Sequence, residues 1–435
     1  MINRTCILSG LATLSVLALI GCDGYGYKAG HSSKGDSNTL AVEQSSNLAG
    51  VEKVESDWSS CNMPQLTAYE DLPEIAELPD PFLAANGKRI SKRSQWPCRR
   101  AELAAQMQRY ELGQKPMRPQ SVDASMDGNN IVVKVKDRGR EISFNAEIIP
   151  PSAGHAPYPV MIGIGKSWLN NDVLSQMGVA VINFPNNEIA EQKDPSSRGK
   201  GKFFDIYSDE KNASALIAWA WGVSRLIDAL ASTPAANIDA TRVGVTGCSR
   251  NGKGALVAGA FDQRIALTIS QESGSGGAAS WRVSDAQLAS GTKVQTASEI
   301  VNENVWQNVE FQQFANSVTK LPFDHHELEG MIAPRSLLVI ENTSIDWLGN
   351  LSTYTTAVAA HTIWQSMGVG ERMGFSQVGG HNHCQYPDSQ LPELRAYVGK
   401  FLVGREEGDT RIMKTDGDLQ VDTARWMPWS VPKLN

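Results

Sequence analysis

Short apolar runs, several of them β-branched, recur along the chain, separated by longer stretches in which apolar residues fall three and four apart. The first pattern suits buried strands and the second suits helices packed on them. Residues 130–135 and 142–149 flank Asp137-Arg138-Gly139 and predict a leading hairpin. Val160-Met161-Ile162-Gly163-Ile164 and Val179-Ala180-Val181-Ile182-Asn183 predict central strands. Residues 211–231 carry a long helical pattern ahead of a strand that ends near residue 248. Further strands are predicted at 265–270, 336–340 and 375–378, with a helix over 354–367 before the last. Alternation of this kind predicts one large α/β unit, a three-layer α-β-α sandwich around a mostly parallel, doubly wound sheet.

The strand near residue 248 breaks into Gly247-Cys248-Ser249-Arg250-Asn251-Gly252-Lys253-Gly254-Ala255 and resumes as a helix-forming segment. A strand-to-helix turn that sharp tolerates only small neighbours and exposes the serine Oγ at a helix N-terminus, where backbone N–H groups can receive an oxyanion. The usual spacing is Gly-x-Ser-x-Gly, and here the second glycine comes one residue late. The partners of a serine triad follow in the order of an α/β-hydrolase: serine, acid, histidine. Glu272 stands at the end of the 265–270 strand, while Glu341 and then Asp346 stand after the 336–340 strand, so three acids compete. Residues 375–378 open into Gly379-Gly380-His381-Asn382-His383-Cys384, which offers a general base. His325 and His326 follow a Pro-Phe-Asp turn and are expected to face solvent, and His361 is expected to pack within its helix. His381-x-His383 also fits two metal ligands on one strand, but no third or fourth ligand is evident nearby, so no metal is expected.

Three segments together resemble the glucuronoyl esterases of carbohydrate esterase family 15: Gly-Cys-Ser-Arg-Asn-Gly-Lys-Gly-Ala at 247–255, Glu-Ser-Gly-Ser-Gly-Gly at 272–277 with Trp281-Arg282 following, and Gly-Gly-His-Asn-His-Cys at 379–384. The resemblance covers about residues 61 to 404. It implies an α/β-hydrolase fold and hydrolysis of the ester between a 4-O-methyl-glucuronic acid branch of glucuronoxylan and a lignin alcohol, without cofactor. Carried over by position, the nucleophile is Ser249, the base is His383, and Arg250 lines the oxyanion hole. The acid falls on Glu272, with Glu341 or Asp346 at the place some bacterial members use. Lys253, Gln295, Glu303 and Trp347 match the residues that hold the sugar. On the residues alone, Lys253 lies one turn into the helix, where its ammonium can reach the mouth and attract uronate oxygens, and Trp347 offers a flat face to a pyranose. The family's disulfide pairing joins Cys248 to Cys384, with Cys61 and Cys98 as a second pair. Fungal members carry a third pair that this chain lacks, which points to the bacterial branch.

Residues 1–21 read as a signal peptide, with Arg4 ahead of an apolar stretch and Leu19-Ile20-Gly21-Cys22 as a lipobox, so Cys22 is the expected site of lipidation. Residues 22–60 read as a flexible tether and 61–435 as a single catalytic domain. An exported lipoprotein, periplasmic or at the cell surface, is therefore expected, monomeric and touching the membrane only through its lipid. The formal net charge of −7 argues against a nucleic-acid partner. Two other functions fit less well: a different carbohydrate ester hydrolase such as an acetyl xylan esterase, and a silent glycan-binding lipoprotein.

Overall fold

In a computed structural model of the chain, which describes residues 50–56 and 58–435, ten strands form one sheet in the order β1-β2-β3-β5-β4-β6-β7-β8-β9-β10. The leading hairpin is β2 (Asn130–Asp137) and β3 (Arg140–Ile149), paired antiparallel from Asp137 opposite Arg140. Arg138 and Gly139 between them have φ of 49° and 75°, the left-handed pair that a two-residue hairpin turn matching strand twist requires. Both strands alternate buried and exposed residues, as antiparallel strands with one wet face do. β1 (Ser121–Asp127), which no apolar run announces, is an edge strand whose Val122, Ala124 and Met126 are only partly covered.

From β5 onward the sheet is parallel: β5 (Ala180–Phe184), β4 (Tyr158–Ile164), β6 (Ile238–Cys248), β7 (Ile265–Gln271), β8 (Ser336–Glu341), β9 (Met373–Gln377) and β10 (Met413–Thr415). Every residue of β7, β8 and β9 is buried, because helices cover both faces and leave no place for a polar stripe. The helix expected over 211–231 runs Ala215–Ser232, starting where the Ser214 side chain accepts a hydrogen bond from the Ile217 N–H at 3.0 Å. It is apolar enough to span a membrane but is 89% buried inside the domain, so it is a core helix. The helix expected over 354–367 runs Asn350–Ser366.

The leader, Cys22 and the tether as far as residue 49 lie outside the described residues. Residues 50–56, expected to be tether, are instead packed on the domain. Glu55 forms ion pairs with Lys115 and Arg225, and the Glu52 N–H donates to the Gln263 carbonyl at 3.0 Å while its carboxylate takes Arg100 at 3.2 Å. The boundary expected at residue 61 therefore lies earlier, because two acidic side chains in a polar stretch find buried cations. Cys61 and Cys98 form a disulfide that ties this segment to the helix Trp96–Met107.

Candidate active site

The turn after β6 is as tight as its glycines imply. A Cβ on Gly247 would lie 2.3 Å from the Asn251 carbonyl oxygen, and one on Gly252 would lie 2.7 Å from that of Gln271. Closest approach to β7 thus falls at residue 252, which accounts for the late glycine. At 251 a side chain is used instead: the Asn251 Oδ1 accepts from Asn186 Nδ2 at 3.1 Å and from Gln192 Nε2 at 3.4 Å. Ser249 is held at φ 59° and ψ −130°, outside the regions a side chain prefers. Its own N–H donates to the Gln271 carbonyl at 2.9 Å, so the first helical amide without an intrahelical acceptor is that of Arg250.

Glu272, directly after β7, also has a positive φ, 45°, and its N–H donates to Ile340 at 2.7 Å. Its Oε2 accepts from His383 Nδ1 at 2.8 Å and from the Cys384 N–H at 2.9 Å. Cys384 has φ 64° and is joined to Cys248 across 136 residues, with their Cα atoms 5.7 Å apart. The disulfide therefore couples the residue before the serine to the residue after the histidine. With Nδ1–H engaged by the carboxylate, the basic lone pair of His383 is on Nε2, which has no partner among the described residues. Three non-glycine residues of the site share left-handed backbone, a concentration of strain typical of functional positions.

The rival acids are separated by this geometry. Glu341 is fully buried, accepts from the Ser273 N–H at 3.0 Å, and is pushed up to about 8 by burial and then by the neighbouring Glu272 charge. Asp346 is exposed, at the start of the turn Asp346–Leu348. His381, the other histidine of the pair, has a nearly covered side chain: its Nε2 donates to the Val378 carbonyl at 2.9 Å and its Nδ1 faces Asn342 Nδ2 at 3.1 Å. Cys248, His383 and Cys384 also place metal-type atoms within 4.8 Å, but the two sulfurs are bonded to each other.

The expected sugar residues form one chain of contacts. Trp347, 40% exposed, sets its ring edge-on to His383 at 4.9 Å, and its carbonyl accepts from the Gln295 N–H at 3.1 Å. Gln295 Nε2 donates to Glu303 Oε2 at 2.9 Å. Lys253 departs from expectation. It is buried beneath the 273–277 loop and donates to the Ser273 carbonyl at 2.6 Å and to that of Ser275, rather than standing free at the mouth. Burial lowers it to about 8 against the opposing pull of Glu303 and Glu341. Trp306 was missed, being one of eleven tryptophans with no local signal. Its ring carries the Arg250 guanidinium at 5.3 Å and the Lys253 ammonium at 5.6 Å, and its Nε1 donates to Gln192 at 2.9 Å.

His325 and His326 are not at the surface as expected. Both are buried in the helix His325–Gly330, capped by Asp324, where His326 Nε2 meets the Pro79 carbonyl at 2.9 Å. The Pro-Phe-Asp turn that reads as surface is a buried cap. His361 is half-buried and meets the Gly370 carbonyl at 3.0 Å.

Residues 133–368 match a family model described as glucuronyl esterase, fungi. Over 360 residues the chain is 48% identical to a 4-O-methyl-glucuronoyl methylesterase of Hypocrea jecorina, covering 83% of this chain and 76% of that protein. Among solved structures, a glucuronoyl esterase mutant from Sporotrichum thermophile in complex with methyl 4-O-methyl-β-D-glucopyranuronate superposes with a TM-score of 0.81 at 45% identity, covering 86% of this chain and 100% of that one. A carbohydrate esterase family 15 glucuronoyl esterase from Caldicellulosiruptor kristjansonii gives 0.73 at 33%, covering 83% and 99%. The bacterial branch expected from a missing cysteine pair is not supported, since the family model and the matches at 45% and 48% identity are fungal: identity sums over the whole domain, and a cysteine pair is two positions.

Proposed function

The chain belongs to the glucuronoyl esterase family, and on that premise we propose that it hydrolyses the ester linking 4-O-methyl-glucuronic acid of glucuronoxylan to a lignin alcohol. The observation that carries the reading is the Glu272–His383 pair, tethered to the serine turn by the Cys248–Cys384 disulfide. His383 Nε2 takes the Ser249 proton and the oxygen attacks the glucuronoyl carbonyl. The Arg250 N–H and guanidinium hold the oxyanion. Protonated His383 then gives its proton to the departing alkoxide, and the acyl-enzyme is opened by water deprotonated at the same nitrogen. Glu272 orients the ring and stabilises its charged form throughout. Gln295, Glu303 and Trp347 are the residues we assign to the uronate, together with the one ammonium proton of Lys253 that the Ser273 and Ser275 carbonyls do not take. Hydrolysis of benzyl glucuronate, absent from Ser249→Ala and exceeding that of an acetyl ester, is the expected result. Turnover of the acetyl ester alone would move the enzyme to another esterase class.

Two disulfides fit an oxidising compartment and hence export. Lipid anchoring at Cys22 through a tether, and a monomeric state, are further proposals that rest on the leader sequence. Cys22→Ala is expected to shift the enzyme from the membrane to the soluble fraction. Membrane retention of that variant would reject the anchor.

A further inference from the structure

Resting on that esterase reading, we propose that Trp168 is the platform for the alcohol half of the ester, selecting aromatic alcohols. Trp168 is 36% exposed, one of two tryptophans among the ten exposed large apolar side chains of the described residues, and the Lys166 ammonium lies 3.9 Å from the centre of its ring. A cation over one face orders the indole at little cost in solvation. Both residues belong to the loop that follows β4, whose register with β6 places Gly163 opposite Thr246. The loop therefore leaves the sheet level with the serine turn, on the flank away from β7 and β8. It also touches that turn: a Cβ on Gly165 would lie 3.0 Å from Asn251 Nδ2.

Substrate orientation follows from what occupies the other flank. The residues assigned to the uronate all lie within the helix behind Ser249 or in segments after β7 and β8, so the acyl half extends that way. The alcohol leaves from the opposite side of the carbonyl, within reach of His383, which protonates it. The β4 loop and the segment after His383 pack on one apolar cluster: Leu169, next to Trp168, belongs to it, and Tyr386, three residues beyond His383, packs against it. An aromatic ring on the alcohol can stack offset on the indole, whereas a methyl group cannot.

The test compares kcat/KM for benzyl and methyl glucuronate in wild type, Trp168→Ala and Trp168→Phe. The benzyl-over-methyl ratio is expected to fall about fivefold in Trp168→Ala, through KM, and to recover most of its value in Trp168→Phe. An unchanged ratio would overturn the proposal. So would a loss seen only when the sugar is extended along xylan, because the indole would then be holding the acyl half. If wild type cleaves neither ester, the esterase reading itself falls and takes this inference with it.

Discussion

Two hydrogen-bonded glutamate–histidine pairs, among the described residues, do opposite things. In one, Glu272 Oε2 holds His383 Nδ1 at 2.8 Å, the side chain is 31% exposed, and Nε2 is without a partner among the described residues. In the other, Glu111 Oε1 holds His325 Nε2 at 3.1 Å, the side chain is 1% exposed, and Nδ1 meets the Gly277 carbonyl. A carboxylate and a carbonyl can only accept, so both nitrogens of His325 donate and the ring is a buried cation. Burial opposes that charge, but Glu111, through both charge and hydrogen bond, and then Asp324 outweigh it and raise the pKa. A carboxylate partner therefore does not make a histidine a base. The second nitrogen decides: left free it can move protons, and engaged by a carbonyl it fastens a loop. Here the fastened loop is the one that carries Glu272 and cages Lys253.

The largest test of the contrast is Glu272→Gln, expected to lower kcat about 10³- to 10⁴-fold with thermal unfolding little changed, because the amide favours the wrong tautomer. Glu341→Gln, replacing a carboxyl already held largely neutral, is expected to cost less than about tenfold on the same scale. Equal losses in the two variants would reassign the acid. His325→Phe should act on stability instead, by roughly 3 kcal/mol in urea unfolding, since Glu111 loses its buried counter-charge. A collapse of turnover at unchanged stability would place His325 in the chemical path. The smallest effect is in its pH dependence. With the folded pKa raised above the unfolded value of about 6.5, the stabilisation is complete below that pH and fades as pH rises through the folded value. Wild type should therefore lose stability relative to His325→Phe as pH is raised from 6 to 9, and parallel curves would reject the cationic state.

The same contrast shows what could be read in advance. Ser249, Arg250 and the flanking glycines were legible because the turn that exposes them is built from neighbours in sequence. From the residues alone Glu272 is one of three acids at strand ends and His383 one of two histidines in a loop, and the family resemblance is what singles them out. The fates of His325 and Lys253 were misread for a single reason. Each is surrounded by residues far away in the chain: Glu111 and Gly277 around the histidine, the Ser273 and Ser275 carbonyls around the lysine. Trp306 and Gln192, which support the cationic side of the site, carried no local pattern at all.

The sequence by itself determined the alternation of strand and helix, the parallel sheet, the serine turn and the order of the triad, because those follow from residue spacing, apolar runs and the steric demands of glycine. Tertiary structure alone decided which acid meets which histidine, which imidazole keeps a free nitrogen, and which lysine is buried. Those outcomes depend on partners 20 to 214 residues apart, brought together by the sheet and a disulfide, and on the loss of water around them.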